Sequence, residues 1–227
     1  KQKFLAEAVA TFSLVFIGAG SILANDFTGG GLGILGIALA HGLVLMSMIY
    51  ATGHISGGHV NPAVTVSLMA ARKISVKLGI GYIIFQLIGA ALAGFLLSFI
   101  FASSPASLAL GATQLASGIT METGILIEAV LTFFLVFTVF GVAVDKRAPP
   151  GMAGFAIGLV LAFDILVGGG LTGAAMNPAR AFGPSLASNF WNNHFVYWIG
   201  PIIGGIVAGL IYKFGFLMGT EVQKTLG

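Results

Sequence analysis

The sequence predicts an all-α membrane protein, with six transmembrane helices and two re-entrant half-helices arranged as an inverted repeat. Three observations predict it. Only 7% of the 227 residues are charged, while 57% are hydrophobic and 34 more are glycine. A soluble domain is about one-quarter charged and could not cover its surface with so few charges. Apolar runs of roughly membrane-spanning length recur along the chain. Finally, the tripeptide Asn-Pro-Ala occurs twice, at Asn61-Pro62-Ala63 and Asn177-Pro178-Ala179, each time heading an apolar run too short to cross.

The first span covers 4–24. It follows Lys1 and Lys3 and has no small-residue cleavage site, so it is expected to be retained rather than removed as a leader. Turn formers, Asn25-Asp26 and Thr28 to Gly31, separate it from a second span at 32–51. A half-helix at 61–71 comes next; its eleven residues reach about 16 Å, roughly half of a 30 Å hydrocarbon core. The third span covers 80–102 and the fourth 124–144. The fifth, at 153–167, is short for the bilayer and follows the breaker Ala148-Pro149-Pro150-Gly151. A second half-helix at 177–187 precedes the last span, 195–212.

Lys and Arg fix the orientation, because short loops rich in them stay on the cytoplasmic side. Lys1, Lys3, Arg72, Lys73, Lys77, Lys146, Arg147, Lys213 and Lys224 all fall on one side of this six-span arrangement. Both termini are therefore expected in the cytoplasm, as for a multi-pass protein of the cell membrane. These cations lie at membrane edges, where they set orientation and touch lipid headgroups. They form no basic-and-aromatic stripe that could read nucleic acid. Arg180 alone breaks the pattern, which calls for a functional reason.

The two half-helices start from opposite faces and would meet near the midplane. The rest of the chain repeats around them: Glu7-Ala8-Val9 with Thr11-Phe12 returns 121 residues on as Glu128-Ala129-Val130 with Thr132-Phe133. Tyr82, Gly89 and Gly94 return 115 residues on as Tyr197, Gly204 and Gly209. Two halves, about 4–102 and 124–216, each with three crossings, must lie in opposite orientations within one domain spanning 1–227.

The chemistry follows from the caps. Asn before Pro is a helix-start signal, since the Asn oxygen caps free amides and Pro suits the first helical position. The Asn amide also has two N–H donors, which can hold a water. Two facing helix N-termini place about half a positive charge each at the midplane, a barrier to cations and protons but not to water. One Asn-Pro alone would be an ordinary helix start; its duplication in a repeat is what gives it weight. Glu7 and Glu128 are charges inside spans and read either as proton-relay carboxylates of a secondary transporter or as supports. Gly154 with Gly158, and Gly200 with Gly204, have the spacing of close helix packing. With no Cys, disulfides, thiolate metal sites and cysteine nucleophiles are excluded. His54 and His59 lack the companions a metal site needs, so no metal or cofactor is expected. An intramembrane enzyme would need a nucleophile and base, and His41 has no such partner at an identifiable spacing.

The paired Asn-Pro-Ala motifs, the Glu-x-x-x-Thr-Phe repeat and Arg180 together resemble the aquaporin family of water and glycerol channels, over essentially 4–216. The resemblance implies six tilted helices and two half-helices around one pore per subunit, a homotetramer, and no enzymatic activity. It implies a passive water channel driven by osmotic gradients, with minor permeability to glycerol or other small uncharged solutes and exclusion of protons and ions. A glycerol facilitator is the alternative. By the family's spacing the selectivity filter comprises His41, Ile165, Ala174 and Arg180, with His41 facing Arg180. Glu7, Glu128 and His59 take the place of the residues that brace the re-entrant loops. Strict water channels pair an aromatic residue with His where His41 and Ile165 stand, so the set is closer to the archaeal, intermediate members. Ala181 after the filter Arg and Tyr197-Trp198 in the last span resemble the water branch. Asp164 departs from the apolar residue usual in the family and has no repeat partner; nearness to the outer mouth is all its position suggests.

Overall fold

The computed structural model describes residues 1–103 and 105–217. Lys224, assigned to the cytoplasmic side above, lies outside the described residues. Among those described there are eight α-helices and no strand. They are α1 Gln2–Phe27, α2 Gly33–Ser56, α3 Pro62–Ala70, α4 Val76–Ile100, α5 Met121–Val139, α6 Ala153–Gly168, α7 Pro178–Ser188 and α8 Val196–Tyr212. Wider turns, Phe140–Val144 and Lys213–Leu217, prolong α5 and α8. Five helices are long and apolar enough to cross a membrane; α6, at 16 residues, is shorter.

The predicted elements are present, and their ends move for identifiable reasons. The Ser75 hydroxyl caps α4 by accepting the Leu78 N–H at 3.3 Å, so the helix starts before residue 80 and takes Lys77 into its first turn. Asn25 and Asp26, expected as turn formers, lie inside α1; the Asn25 side-chain oxygen serves the turn from there, accepting Leu32 and Gly33 N–H at 3.1 and 2.8 Å. Gly57, at φ +98°, ends α2 at Ser56 rather than at residue 51.

Burial is inverted relative to a soluble protein. Leu5, Val76, Phe99 and Leu126 are exposed on the flanks, whereas Glu7, Gln86, Glu128 and Arg180 are wholly or almost wholly buried. Such a surface requires lipid around it: the chain is an integral, multi-pass membrane protein. Arg180 is buried within it, which explains why it escapes the charge pattern of the loops.

α1 packs on α4, α5 on α8, and α2 on α6. At the first two contacts a Cβ on Gly89 would overlap the Ala8 carbonyl oxygen, and one on Gly204 the Ala129 carbonyl oxygen. These are the same contact made twice, since both pairs are repeat counterparts. α2 and α6 meet through Gly42 and Gly158, where a Cβ on either would lie 2.5 Å from the other's carbonyl oxygen. At the chain's far end Asp145 pairs with Arg147 and accepts from the Tyr212 hydroxyl. Arg147 also donates to Phe216 O, which ties the α5–α6 loop to the end of α8. The bonded guanidinium holds the Asp145 carboxyl well below the usual carboxylate range.

Candidate functional site

Asn61 and Asn177 adopt extended backbone (φ −154° and −148°) just before Pro62 and Pro178, the first residues of α3 and α7. The Asn61 oxygen accepts Ala63 N–H at 2.8 Å; the Asn177 oxygen accepts Ala179 and Arg180 N–H at 3.0 and 3.3 Å. The amide nitrogens reach across. Asn61 Nδ2 donates to Met176 O at 2.8 Å and Asn177 Nδ2 to Val60 O at 2.9 Å. Two helix N-termini therefore face each other, bonded reciprocally, and each amide keeps a second N–H. Ala63 and Ala179, with no exposed surface, sit behind the caps.

The loops entering these caps are held from behind by carboxylates. Glu7 in α1 accepts His59 and Val60 N–H (2.9 and 2.7 Å), the Ser56 hydroxyl (2.6 Å) and the Gln86 amide (2.7 Å). Glu128 in α5 accepts Ala175 and Met176 N–H (2.9 and 2.7 Å) and the Thr172 hydroxyl (2.6 Å). Consecutive N–H groups can converge on one carboxylate because Val60 and Met176 take positive φ, 57° and 50°. Tyr82 and Tyr197 hydroxyls donate to Ser56 O and Thr172 O at 2.7 and 2.8 Å. The His59 ring lies 3.1 Å from the Thr65 hydroxyl and edge-on to Tyr82, so its backbone is held by Glu7 while its ring faces elsewhere. Ser56, Thr172, Gln86 and the tyrosine hydroxyls were missed from the sequence. Ser56 and Thr172 lie 116 residues apart, as the two asparagines do, and that spacing could have found them.

At the other end Arg180 donates from Nη1 to Gly111 O at 2.8 Å and from Nε to His41 Nε2 at 3.4 Å. His41 Nδ1 lies 2.9 Å from Ile37 O, so the hydrogen sits on Nδ1 and Nε2 is the acceptor. Nη2 of Arg180 is buried without a partner. Gly18 leaves room for the imidazole; a Cβ there would lie 2.5 Å from Nε2. A cavity of about 330 Å³ extends from Lys73 and Ile74, past Asn61 and Asn177, to His41 and Arg180. Its walls are largely aliphatic, including Leu135 and Leu161. Ile165 and Ala174 are placed differently: both are 2% exposed, share one apolar cluster, and are not among the residues lining this cavity. Asp164, expected near the outer mouth, is buried in α6.

Comparison with known proteins agrees with this geometry. Residues 1–212 match the family described as Major intrinsic protein. The chain is 44% identical to "Aquaporin TIP4-4" of Zea mays, over 92% of this chain and 84% of that protein. It is 41% identical to "Aquaporin AqpM" of Methanothermobacter thermautotrophicus, over 94% and 96% of the two. The solved "aquaglyceroporin from Plasmodium falciparum" superposes with a TM-score of 0.81 at 26% identity, covering 93% of this chain and 95% of that one. The chain belongs to the major intrinsic protein family, among the aquaporins.

Proposed function

We propose that this protein is a passive, osmotically driven water channel that admits glycerol or similar small uncharged solutes to a minor degree and excludes protons and ions. The observation that carries this reading is the pair of reciprocally bonded asparagines where two helix N-termini meet beside an apolar cavity. The remaining amide hydrogens give a passing water two donors, while the helix ends oppose a cation. Asn61, Pro62, Ala63, Asn177, Pro178 and Ala179 form this centre. His41 and Arg180 form the narrow polar filter, backed by Ile165 and Ala174, and Glu7, Glu128 and His59 belong to the loop braces. The carboxylates of Glu7 and Glu128 are engaged by backbone and hydroxyl donors, which suits a support rather than a proton relay. The assembly is a homotetramer in the cell membrane with both termini cytoplasmic. No enzymatic role, cofactor, metal or nucleic acid enters this reading.

Stopped-flow light scattering of proteoliposomes tests it. Sucrose shock should shrink them far faster than empty liposomes, and glycerol should re-enter more slowly than water leaves. Solute accumulation driven by a proton gradient would instead mark a transporter.

The filter makes a separate prediction. Arg180→Val removes a buried guanidinium with one unpartnered nitrogen, and with it the fixed positive charge at the cavity's end. Water flux should persist while proton or cation conductance rises at least about tenfold, equivalent to ~1.4 kcal/mol of lost barrier. Background currents in a correctly inserted mutant would remove Arg180 from the filter.

A further inference from the structure

The chain's two tryptophans both meet one histidine in the connection between α7 and α8. Trp198, in the first turn of α8, donates its indole N–H to His194 Nε2 at 3.1 Å. Trp191 stands nearly perpendicular to the same imidazole, with ring centroids 4.9 Å apart. It is tied in turn to the end of α7: its indole N–H donates to the Asn189 side-chain oxygen at 3.0 Å, and its ring lies 6.1 Å from Phe182. Asn189, at φ 52°, is the residue that ends α7.

The first turn of α8 also serves the second Asn-Pro-Ala motif. Tyr197, next to Trp198, donates its hydroxyl to Thr172 O at 2.8 Å, and the Thr172 hydroxyl donates to Glu128. Val196 and Tyr197 pack with Ala175 and Ala181 in one buried cluster. Tyr82 repeats the tyrosine contact in the first half, but the counterparts of His194 and Trp198, 115 residues back, are Gly79 and Ile83. The histidine–tryptophan pair thus belongs to one face of the membrane alone.

An imidazole that accepts at Nε2 is neutral and carries its hydrogen on Nδ1. A proton added at Nε2 would point at the Trp198 N–H, and two donors cannot share one line, so one of the rings must turn. We propose that His194 is an acid sensor on the outer face: its neutral ring docks Trp198, and protonation frees the first turn of α8, so that Tyr197 slackens its hold on the loop carrying Asn177 and Arg180. His194 lies in the connection before α8, outside the spanning helices, and burial lowers its affinity for a proton. The docked form is therefore complete above about pH 6.5 and is lost as pH falls below it. Of the elements packed on α8, α5 supplies Glu122 and Glu128, α7 supplies Arg180 and the turn 213–217 supplies Lys213; α3 and the turn 140–144 supply no charge. Glu128 and Arg180 are engaged in the brace and the filter, and Lys213 is at the helix's other end. Glu122 is exposed, with an ordinary carboxylate range below about pH 5, and the tyrosines of α8 belong to a range far above. The connection 189–195 has no other titratable side chain.

The effect on flux rests on the channel reading, so the test has a readout independent of flux. In the full-length reconstituted protein, Trp191→Phe leaves Trp198 as the single tryptophan. Its emission should move to longer wavelength between about pH 8 and pH 5, spanning the ordinary histidine range, as the indole loses its partner and meets water. Adding His194→Gln, which keeps an acceptor and does not titrate, should hold the emission constant. Over the same range the parent's water permeability should fall several-fold, while His194→Gln alone should keep the parent's neutral-pH value. His194→Ala should be several-fold slower throughout; if it fails to fold, the glutamine variant and the emission still decide. An emission that ignores pH, or that shifts equally with glutamine, overturns the sensor. A histidine-dependent shift with level flux overturns its coupling to the loop. A shift in a protein that conducts no water at any pH overturns the channel reading alone.

Discussion

Glu7→Leu is expected to abolish water conduction and to lower the unfolding temperature of the solubilised protein. The substitution removes the acceptor of His59 and Val60 N–H, the Ser56 hydroxyl and the Gln86 amide, all of them buried. A buried donor left unpaired costs about 1–3 kcal/mol, and removing one partner from a buried charged cluster about 3–5 kcal/mol. The positive φ of Val60 is maintained by those bonds. Without them the loop can relax, moving Val60 O away from Asn177 Nδ2 and unseating the other motif's asparagine. Glu7→Gln should fall between, because an amide oxygen still accepts two of the four donors while its NH2 group opposes the other two. Stopped-flow scattering and thermal unfolding check both. Parent-like flux in Glu7→Leu would mean the loop stands without the brace.

Gly204→Val should prevent α8 from seating against α5, with loss of folded protein as the expected result. A Cβ at 204 overlaps Ala129 O, a backbone atom that cannot swing aside. Overpacking a core with a movable neighbour costs typically 1–3 kcal/mol, and backbone against backbone should exceed that. Gly89→Val meets Ala8 O in the same way and should fail equally. Gly170→Ala is the control, since nothing lies within 4 Å of a Cβ there. Monodispersity in size-exclusion chromatography, with yield from membranes, measures all three. A well-folded Gly204→Val would show that the helices can separate at no great cost.

Much of this was legible from sequence because the chain states it twice. Glu7 and Glu128, Asn61 and Asn177, and Gly89 and Gly204 mark the repeat by spacing alone, and spacing survives without coordinates. The Gln86–Glu7 bond joins residues 79 apart and has no counterpart in the second half, so no periodicity announces it. Ser75 shifted the start of α4 because a cap is a local hydroxyl geometry, whereas hydropathy reports only where apolar residues accumulate. Ile165 and Ala174 follow from motif spacing, yet which side chains border a cavity depends on rotamers such as that of Arg180.

The crossed asparagine bonds also bear on biogenesis. Asn61 has its oxygen satisfied within its own half, but its amide waits for Met176, 115 residues later. Until the second half is translated and inserted, the first holds an unfinished polar centre, and Val60 O lacks its donor. The last hydrogen bonds of each half's motif are thus made only with the other half. Ordering of the half-helices depends on contacts distant in sequence, which are slow to form and leave earlier intermediates exposed. Two separately expressed halves would accordingly be competent only together, each stable in the bilayer as helices yet neither owning a complete passage.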